Sequence, residues 1–138
     1  MCSQPRRLAA VTIAERVAAE RHSLIGGEVG YAIGQRAVAT TKTRLVFVTA
    51  GSLLGRLRAK GESALSGVRF VIIDEVHERS TENDLLLAVL KQMMLFSSRK
   101  RSTPEAKVIQ QVNIVIMSAT FNRDKYASYF SSIPDAGV

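Results

Sequence analysis

Three short apolar runs, rich in β-branched residues, stand out from a chain whose other segments carry apolar positions at helical spacing. They cover Leu45–Thr49, residues 70–74 and residues 112–118. A strand that is covered on both faces needs no alternation of polar and apolar positions, so these runs predict the buried strands of a parallel sheet. A weaker strand is predicted at Val29–Ile33.

Helical patterns fill the stretches between the predicted strands. We predict helices over residues 8–21, 52–60, 82–96 and Arg123–Phe130, and a polar surface loop over residues 97–107. Strands that alternate with helices indicate an α/β fold, a doubly wound parallel sheet whose ligands bind at the carboxyl ends of the strands. Ser3, Thr49, Asp74 and Ser118 fall at or just past such ends, so we expect them to converge on one edge.

Composition narrows the class of protein. The 138 residues suffice for one domain or part of one, and 46% hydrophobic with 22% charged residues is typical of a folded protein. The net charge of +7 favours either a polyanionic partner or a solvated basic surface. Cys2 is the single cysteine, which excludes an internal disulfide and a cysteine-based zinc site.

No apolar run reaches the ~20 residues of a membrane span and no signal-peptide pattern begins the chain, so we expect an intracellular location, nuclear or cytoplasmic.

A pair of carboxylates, Asp74 and Glu75, ends the second apolar run. Nucleotide hydrolases use such a pair at the end of a buried strand: the Asp fixes a hydrated Mg²⁺, and the Glu orients or deprotonates the attacking water. Taken alone, however, the pair is better explained as a solvated turn before the next helix.

The residues that follow the pair extend the pattern. Residues 74–80, Asp-Glu-Val-His-Glu-Arg-Ser, resemble motif II of the DEAH-box helicases of superfamily 2, in which alanine is usual at the position of Val76. The resemblance implies that Asp74 and Glu75 are catalytic residues and the metal site for Mg²⁺. It also implies a catalytic role for His77, which alone would more often be a packed or surface histidine.

The end of the third apolar run resembles motif III of the same family. The resemblance implies that Ser118, Ala119 and Thr120 couple the nucleotide site to the rest of the motor through His77. Two hydroxyls at a strand end can hydrogen-bond a neighbouring histidine and so sense bound nucleotide. Without that context, Ser-Ala-Thr is a helix cap or a turn.

Two further stretches resemble the family's RNA-binding motifs. Residues 3–10 resemble motif Ia, usually Thr-Gln-Pro-Arg-Arg, with Ser3 in place of threonine, and Thr49 with Gly51 resembles motif Ib. A helix N-terminus flanked by arginines suits RNA phosphates. The residues that the resemblance assigns to RNA binding are Gln4, Pro5, Arg6, Arg7, Thr49 and Gly51. Alone, these stretches are a basic helix start and a capped helix start.

The four motifs occur in the family's order over roughly residues 3–130. They imply a RecA-like first motor domain of an ATP-dependent RNA helicase, which uses ATP as substrate with Mg²⁺, and which acts on single-stranded or structured RNA. A second RecA-like domain and an activating protein are the implied partners. Residues 30–33 also resemble the family's Gly-Tyr-x-Ile stretch, whereas residues 34–37 depart from the usual Arg-Phe-Glu.

One motif of such motors has no match in the 138 residues, namely the phosphate-binding loop Gly-x-x-x-x-Gly-Lys-[Ser/Thr]. We therefore expect residues 1–138 to be an N-terminally truncated helicase domain that is inactive alone, although its parent protein is an enzyme. A non-enzymatic RNA-binding module is the alternative, and an ATPase that acts on another partner, such as DNA, is a third possibility.

Overall fold

The computed structural model describes residues 1–101, 112–120 and 123–133. Within them, the strands are β1 (Cys2–Gln4), β2 (Val29–Ile33), β3 (Arg36–Val38), β4 (Leu45–Thr49), β5 (Phe70–Ile73) and β6 (Asn113–Ile116). The α-helices are α1 (Arg7–Glu20), α2 (Ala50–Lys60), α3 (Thr81–Arg101) and α4 (Arg123–Phe130), and 3₁₀ turns occupy Gly61–Leu65 and Val76–Glu78. Among the described helices, none is both long and apolar enough to cross a membrane.

The strands form a single sheet in the order β3-β2-β4-β1-β5-β6. All neighbouring pairs are parallel except β2 with β3, which is an antiparallel hairpin at one edge. The predicted α/β class with a parallel sheet is confirmed, with one antiparallel strand added. The short strand β1 lies in the middle, between β4 and β5.

Helices cover both faces of the sheet, as in a doubly wound fold. On one face, α1 lies close to the strands because Ala10, Ala14 and Ala18 form its buried stripe. On the other face, the apolar side chains of α2 and α3 pack around Val48, Val71 and Ile73 in a second core. Successive side chains of a strand point to opposite faces, so both cores draw on the same apolar runs.

The hairpin of β2 and β3 brings two backbones close together. A Cβ on Gly30 would lie only 2.2 Å from the carbonyl oxygen of Val38, so no larger residue fits there. Gly34, with φ of 52°, begins the two-residue turn that joins Ile33 to Arg36. Two-residue hairpin turns require a positive φ at such a position, which glycine adopts without strain.

Two predictions about local structure are wrong. Helix α3 continues to Arg101, so residues 97–101 are helical and not part of a loop; residues 102–107 lie outside the described part of the chain. Strand β6 is not covered on both faces, since the side chains of Val115 and Met117, just past its end, are 39% and 44% exposed. Ile114 and Ile116 pack against the core that contains α2 and α3, whereas Val115 points to the opposite face, where the core beside α1 includes no described residue of β6.

Candidate functional site

The carboxyl ends of β1, β4, β5 and β6 meet at one edge of the sheet and bring the predicted site residues together. In the register, Gln4 pairs with Thr49 and Ser3 pairs with Ile73, so Asp74 follows immediately at the same level. The backbone N–H of Asp74 donates to the carbonyl of Ser3 at 3.0 Å. Parallel pairing alone therefore places the acidic pair beside the end of β1.

The carboxylate of Asp74 is held in place by two N–H donors. Its Oδ1 accepts from the backbone N–H of Glu75 at 2.8 Å, and its Oδ2 accepts from Nε2 of Gln4 at 2.8 Å. Hydrogen bonds to a carboxylate are among the stronger ones in proteins and restrict its rotation. Each oxygen keeps a further lone pair, so the group is oriented but still able to bind a cation.

A strained turn carries the rest of the acidic stretch. Glu75 and Arg79 both adopt the left-handed conformation, with φ of 54° and 50°, at a cost of about 1 kcal/mol each. Val76, between them, is 1% exposed in the core, and its N–H donates to the carbonyl of Met117 at 3.2 Å. The anchored Val76 fixes the turn against β6 and so sets the direction of the Glu75 side chain.

Arg79 ends the turn with a forked contact to the start of α3. Its Nε and Nη2 donate to both carboxylate oxygens of Asp84 at distances of 2.8 to 3.2 Å. The hydrogen bonds that Arg79 donates to Asp84 raise the pKa of Arg79 above its usual value. Both side chains are about half exposed, so the pair orients the turn more than it stabilises the fold.

His77 joins the acidic turn to the end of β6. Its Nδ1 lies 3.2 Å from Oγ of Ser118 and 3.3 Å from Oε2 of Glu75. The Ser118 hydroxyl donates its hydrogen to the carbonyl of Thr120 at 2.8 Å, so it can only accept from His77. In this arrangement the donor to Ser118 is the N–H at Nδ1 of His77. Of the predicted coupling residues, Ser118 makes this contact directly and Thr120 contributes its carbonyl, whereas Ala119 is exposed.

The acidic pair suits a magnesium ion that is shared with a substrate. Within the described residues, no three or more His, Cys, Asp and Glu side chains are grouped so that they could hold a metal ion together. Mg²⁺ is usually bound by one or two carboxylates together with water and substrate phosphates. Asp74 with its oriented oxygens and Glu75, whose side chain is 41% exposed, match that arrangement.

Gln4 and Arg6, both predicted to bind RNA, have side chains that contact the acidic stretch. Gln4 is 2% exposed and reaches Asp74, and it also lies 3.7 Å from Sγ of Cys2. Arg6 is exposed, and its Nη2 is 3.3 Å from Oε1 of Glu78. Burial raises the pKa of the Cys2 thiol, an effect that the hydrogen bond from Gln4 opposes and the charge of Asp74 increases.

The other four predicted RNA-binding residues line one cleft of about 590 Å³. Pro5 and Arg7 lie on its α1 side, and Thr49 and Gly51 lie at the start of α2. The hydroxyl of Thr49 caps α2 by accepting from the N–H of Ser52 at 3.3 Å. Thr49 is therefore a helix cap and a lining residue at the same time.

Ser52 ties the wall of this cleft together. Its Oγ accepts from the hydroxyl of Thr49 at 2.8 Å and from the backbone N–H of Gly34 at 2.7 Å. The β2–β3 turn is thus fastened to the first turn of α2. Sequence reasoning missed Ser52, Gly55, Arg56 and Lys60, all of which line the cleft. The available signal was the four-residue spacing of Ser52, Arg56 and Lys60 along α2.

Comparison with known proteins is consistent with this geometry. The family model described as DEAD/DEAH box helicase matches residues 6–128. The human protein DHX57 is 43% identical over 134 residues, which is 97% of this chain and 9% of the human protein. Two Arabidopsis thaliana proteins named DExH-box ATP-dependent RNA helicases are similar: DExH3 is 41% identical over 97% of this chain and 10% of its own length. DExH8 is 40% identical over 96% of this chain and 12% of its own length, so the chain spans about a tenth of these relatives.

Proposed function

Because the chain belongs to the DEAD/DEAH box helicase family, we propose that it forms part of the first RecA-like motor domain of an ATP-dependent RNA helicase. The observation that carries the proposal is the contact between Gln4 and Asp74, which joins a predicted RNA-binding strand to a predicted magnesium-binding carboxylate at 2.8 Å. A helicase motor needs a physical connection of this kind between the site that hydrolyses ATP and the site that binds RNA.

In the proposed hydrolytic site, Asp74 binds the hydrated cation and Glu75 positions the attacking water. Mg²⁺, when bound with ATP, neutralises the charge of the β and γ phosphates. The carboxylate of Glu75 would accept the water's proton while the water oxygen bonds to the γ phosphorus and the bond from that phosphorus to the β-phosphate oxygen breaks, so that ADP and inorganic phosphate leave. His77, 3.3 Å from Oε2 of Glu75, restricts the rotation of that carboxylate. The phosphates themselves require a binding loop, which we assign to the part of the full-length protein outside these residues.

We assign coupling to the hydrogen bond between His77 and Ser118. A change at the γ phosphate moves Glu75, and His77 shares its Nδ1 proton between Glu75 and Ser118. Because Ser118 follows β6, the movement is passed to the end of another strand. A second RecA-like domain of the full-length protein would close over the same edge.

RNA is expected in the cleft lined by Pro5, Arg7, Thr49 and Gly51. The first N–H groups of α2 have no acceptor within the helix, and together with Arg7 they suit the phosphates of a single strand. Such contacts hold the backbone and read no base edges, so binding would be largely independent of sequence. Gln4 would act indirectly, since its side chain is buried against Asp74.

The full-length protein with Glu75→Gln tests the proposal. We expect RNA-stimulated ATP hydrolysis to fall by at least about 100-fold, because the variant cannot take up the water's proton, whereas RNA binding is retained. Glu15→Gln, the same substitution at an exposed position of α1, is the matched control. Unchanged turnover in Glu75→Gln would show that Glu75 is not catalytic.

One observation favours a second function, a non-enzymatic RNA-binding module. The chain carries a net charge of +7, which favours binding to a polyanion through charge alone. Salt-sensitive RNA binding by the wild-type full-length protein without any ATP hydrolysis would support this function instead.

A further inference from the structure

The cleft beside α2 extends beyond the residues that the helicase motifs account for. Thr49 and Gly51 lie at its start, whereas Gly55, Arg56 and Lys60 line it one and two helical turns further on. These three residues belong to none of the motifs described above. The cleft is therefore longer than the binding site that the motifs predict.

Helix α2 presents two adjacent rows of side chains to this cleft. One row has small residues at four-residue spacing, Gly51, Gly55 and Ala59, and the other has Ser52, Arg56 and Lys60. Residues four apart lie on the same face of a helix and about 6 Å apart along its axis. The small row leaves room for a ligand to approach the helix, and the polar row supplies donors and positive charge alongside it.

Within the described part of the chain, no contact or backbone conformation requires a glycine at position 55. No heavy atom lies within 4 Å of the position that its Cβ would take, its own helix backbone aside, and its φ is not positive. Glycine in the middle of a helix destabilises it relative to alanine. The open space above Gly55 faces the cleft. Close approach of an external ligand would explain why α2 has a glycine here, since no internal contact explains it.

The charge of the cleft points to an anionic ligand. Arg7, Arg56 and Lys60 form no ion pair with a carboxylate among the described residues, and Glu82 is the acidic residue that lines the same cleft. Three cations along one channel suit a chain with regularly spaced charges. A nucleic-acid backbone has this property.

We infer that the RNA strand held at Thr49 and Gly51 continues over Gly55, where Arg56 and Lys60 bind two further phosphates. The inference rests on the proposed function, because the same strand must first occupy the motif positions. Arg56 can donate two parallel hydrogen bonds to a phosphate, whereas Lys60 acts as a point charge. The strand lies against the bare backbone of α2 at Gly55.

The test uses the full-length protein and a fluorescent single-stranded oligouridylate, with fluorescence anisotropy measured from about 50 to 200 mM salt. Arg56→Ala combined with Lys60→Ala should weaken binding about tenfold or more. It should also lower the slope of log K against log salt by about 1.4, since each phosphate contact on a single strand contributes about 0.7. Arg58→Ala is the matched control: the residue lies on the same helix, is exposed and does not line the cleft.

Gly55→Leu separates binding from folding. A leucine there should slow hydrogen exchange in α2, because it favours the helix, and at the same time it should weaken RNA binding by filling the cleft. Tight RNA binding in Gly55→Leu and in the Arg56/Lys60 double variant would overturn the inference, provided that Arg7→Ala weakens binding. If instead Arg7→Ala also has no effect, the proposed RNA site at the motifs fails as well. The inference would equally be overturned if a polyglutamate peptide bound in the cleft of the wild-type protein and left its affinity for the oligouridylate unchanged.

Discussion

Nε2 of Gln4 and Oδ2 of Asp74 are 2.8 Å apart, although seventy residues separate them in the chain. The contact forms because β1 and β5 are neighbours in the sheet and end at the same level. Gln4 belongs to the stretch that resembles an RNA-binding motif, and Asp74 belongs to the acidic pair. The two proposed sites are therefore joined by a single, partly buried hydrogen bond.

Replacement of Gln4 by leucine should break this link. Asp74 loses one donor while it remains charged, so we expect the free energy of unfolding of the domain to fall by about 1–2 kcal/mol. RNA-stimulated ATP hydrolysis should decrease, whereas the Kd for RNA should change by less than about twofold, because Gln4 does not reach the surface. Gln92→Leu, at an exposed position of α3, is the control. Weaker RNA binding, with wild-type hydrolysis restored at saturating RNA, would mean that Gln4 contacts RNA directly.

Removal of the Ser118 hydroxyl should alter the tautomer of His77. In Ser118→Ala the Nδ1 proton loses one of its two acceptors. A hydrogen bond contributes about 1 kcal/mol, and an activation free energy raised by that amount lowers RNA-stimulated turnover roughly fivefold. Nitrogen NMR shifts of the His77 ring would report the change in tautomer. Ser118→Thr keeps the hydroxyl and should behave as the wild type. If the ring shifts were identical in Ser118→Ala, Ser118 would have no part in fixing the tautomer.

The ion pair between Arg6 and Glu78 should limit RNA affinity. Both side chains are at least one-third exposed, so the pair adds little stability, but Glu78 competes with phosphate for the guanidinium. We expect Glu78→Gln to tighten RNA binding by a few-fold at low salt, with a smaller gain at high salt. Glu20→Gln opens a comparable surface pair, Arg16 with Glu20, and should leave RNA affinity unchanged. Weaker binding in Glu78→Gln would indicate that Glu78 positions Arg6 for RNA.

The hairpin at the sheet edge should not tolerate a side chain at Gly30. The Cβ of alanine would lie 2.2 Å from the carbonyl oxygen of Val38, and relief of the clash must separate the two strands. We expect a destabilisation of about 1–3 kcal/mol, seen as faster hydrogen exchange in β2 and β3. Exchange at wild-type rates in Gly30→Ala would contradict the observed approach of the two backbones.

Long apolar strands were predictable from the sequence, and short ones were not. The bounds of β2 and β4 were predicted correctly, because their five-residue apolar runs end in polar residues or glycine. Strands β1 and β3 have three residues each, too few for a pattern, and β3 is largely exposed. Their pairing depends on neighbours that are distant in sequence or on a glycine turn.

The sequence was sufficient to predict which residues form the candidate site, but not all the contacts that they make. The motifs identified Asp74, His77 and Ser118, and parallel strand ends explain why they meet. That Gln4 turns inward could not be foreseen, because the side of β1 on which it lies depends on the register with β4 and β5. The cleft residues Arg56 and Lys60 required the position of α2 relative to the β2–β3 turn, which is fixed by Ser52.

The central position of β1 has a kinetic consequence. Residues 2–4 must find β5, about seventy residues later, before the two halves of the sheet are joined. Contacts between residues so far apart in sequence form slowly, because loop closure costs entropy before the pairing stabilises anything. We therefore expect that, as the protein emerges from the ribosome, the acidic pair does not reach its final position until β5 is available to pair with β1.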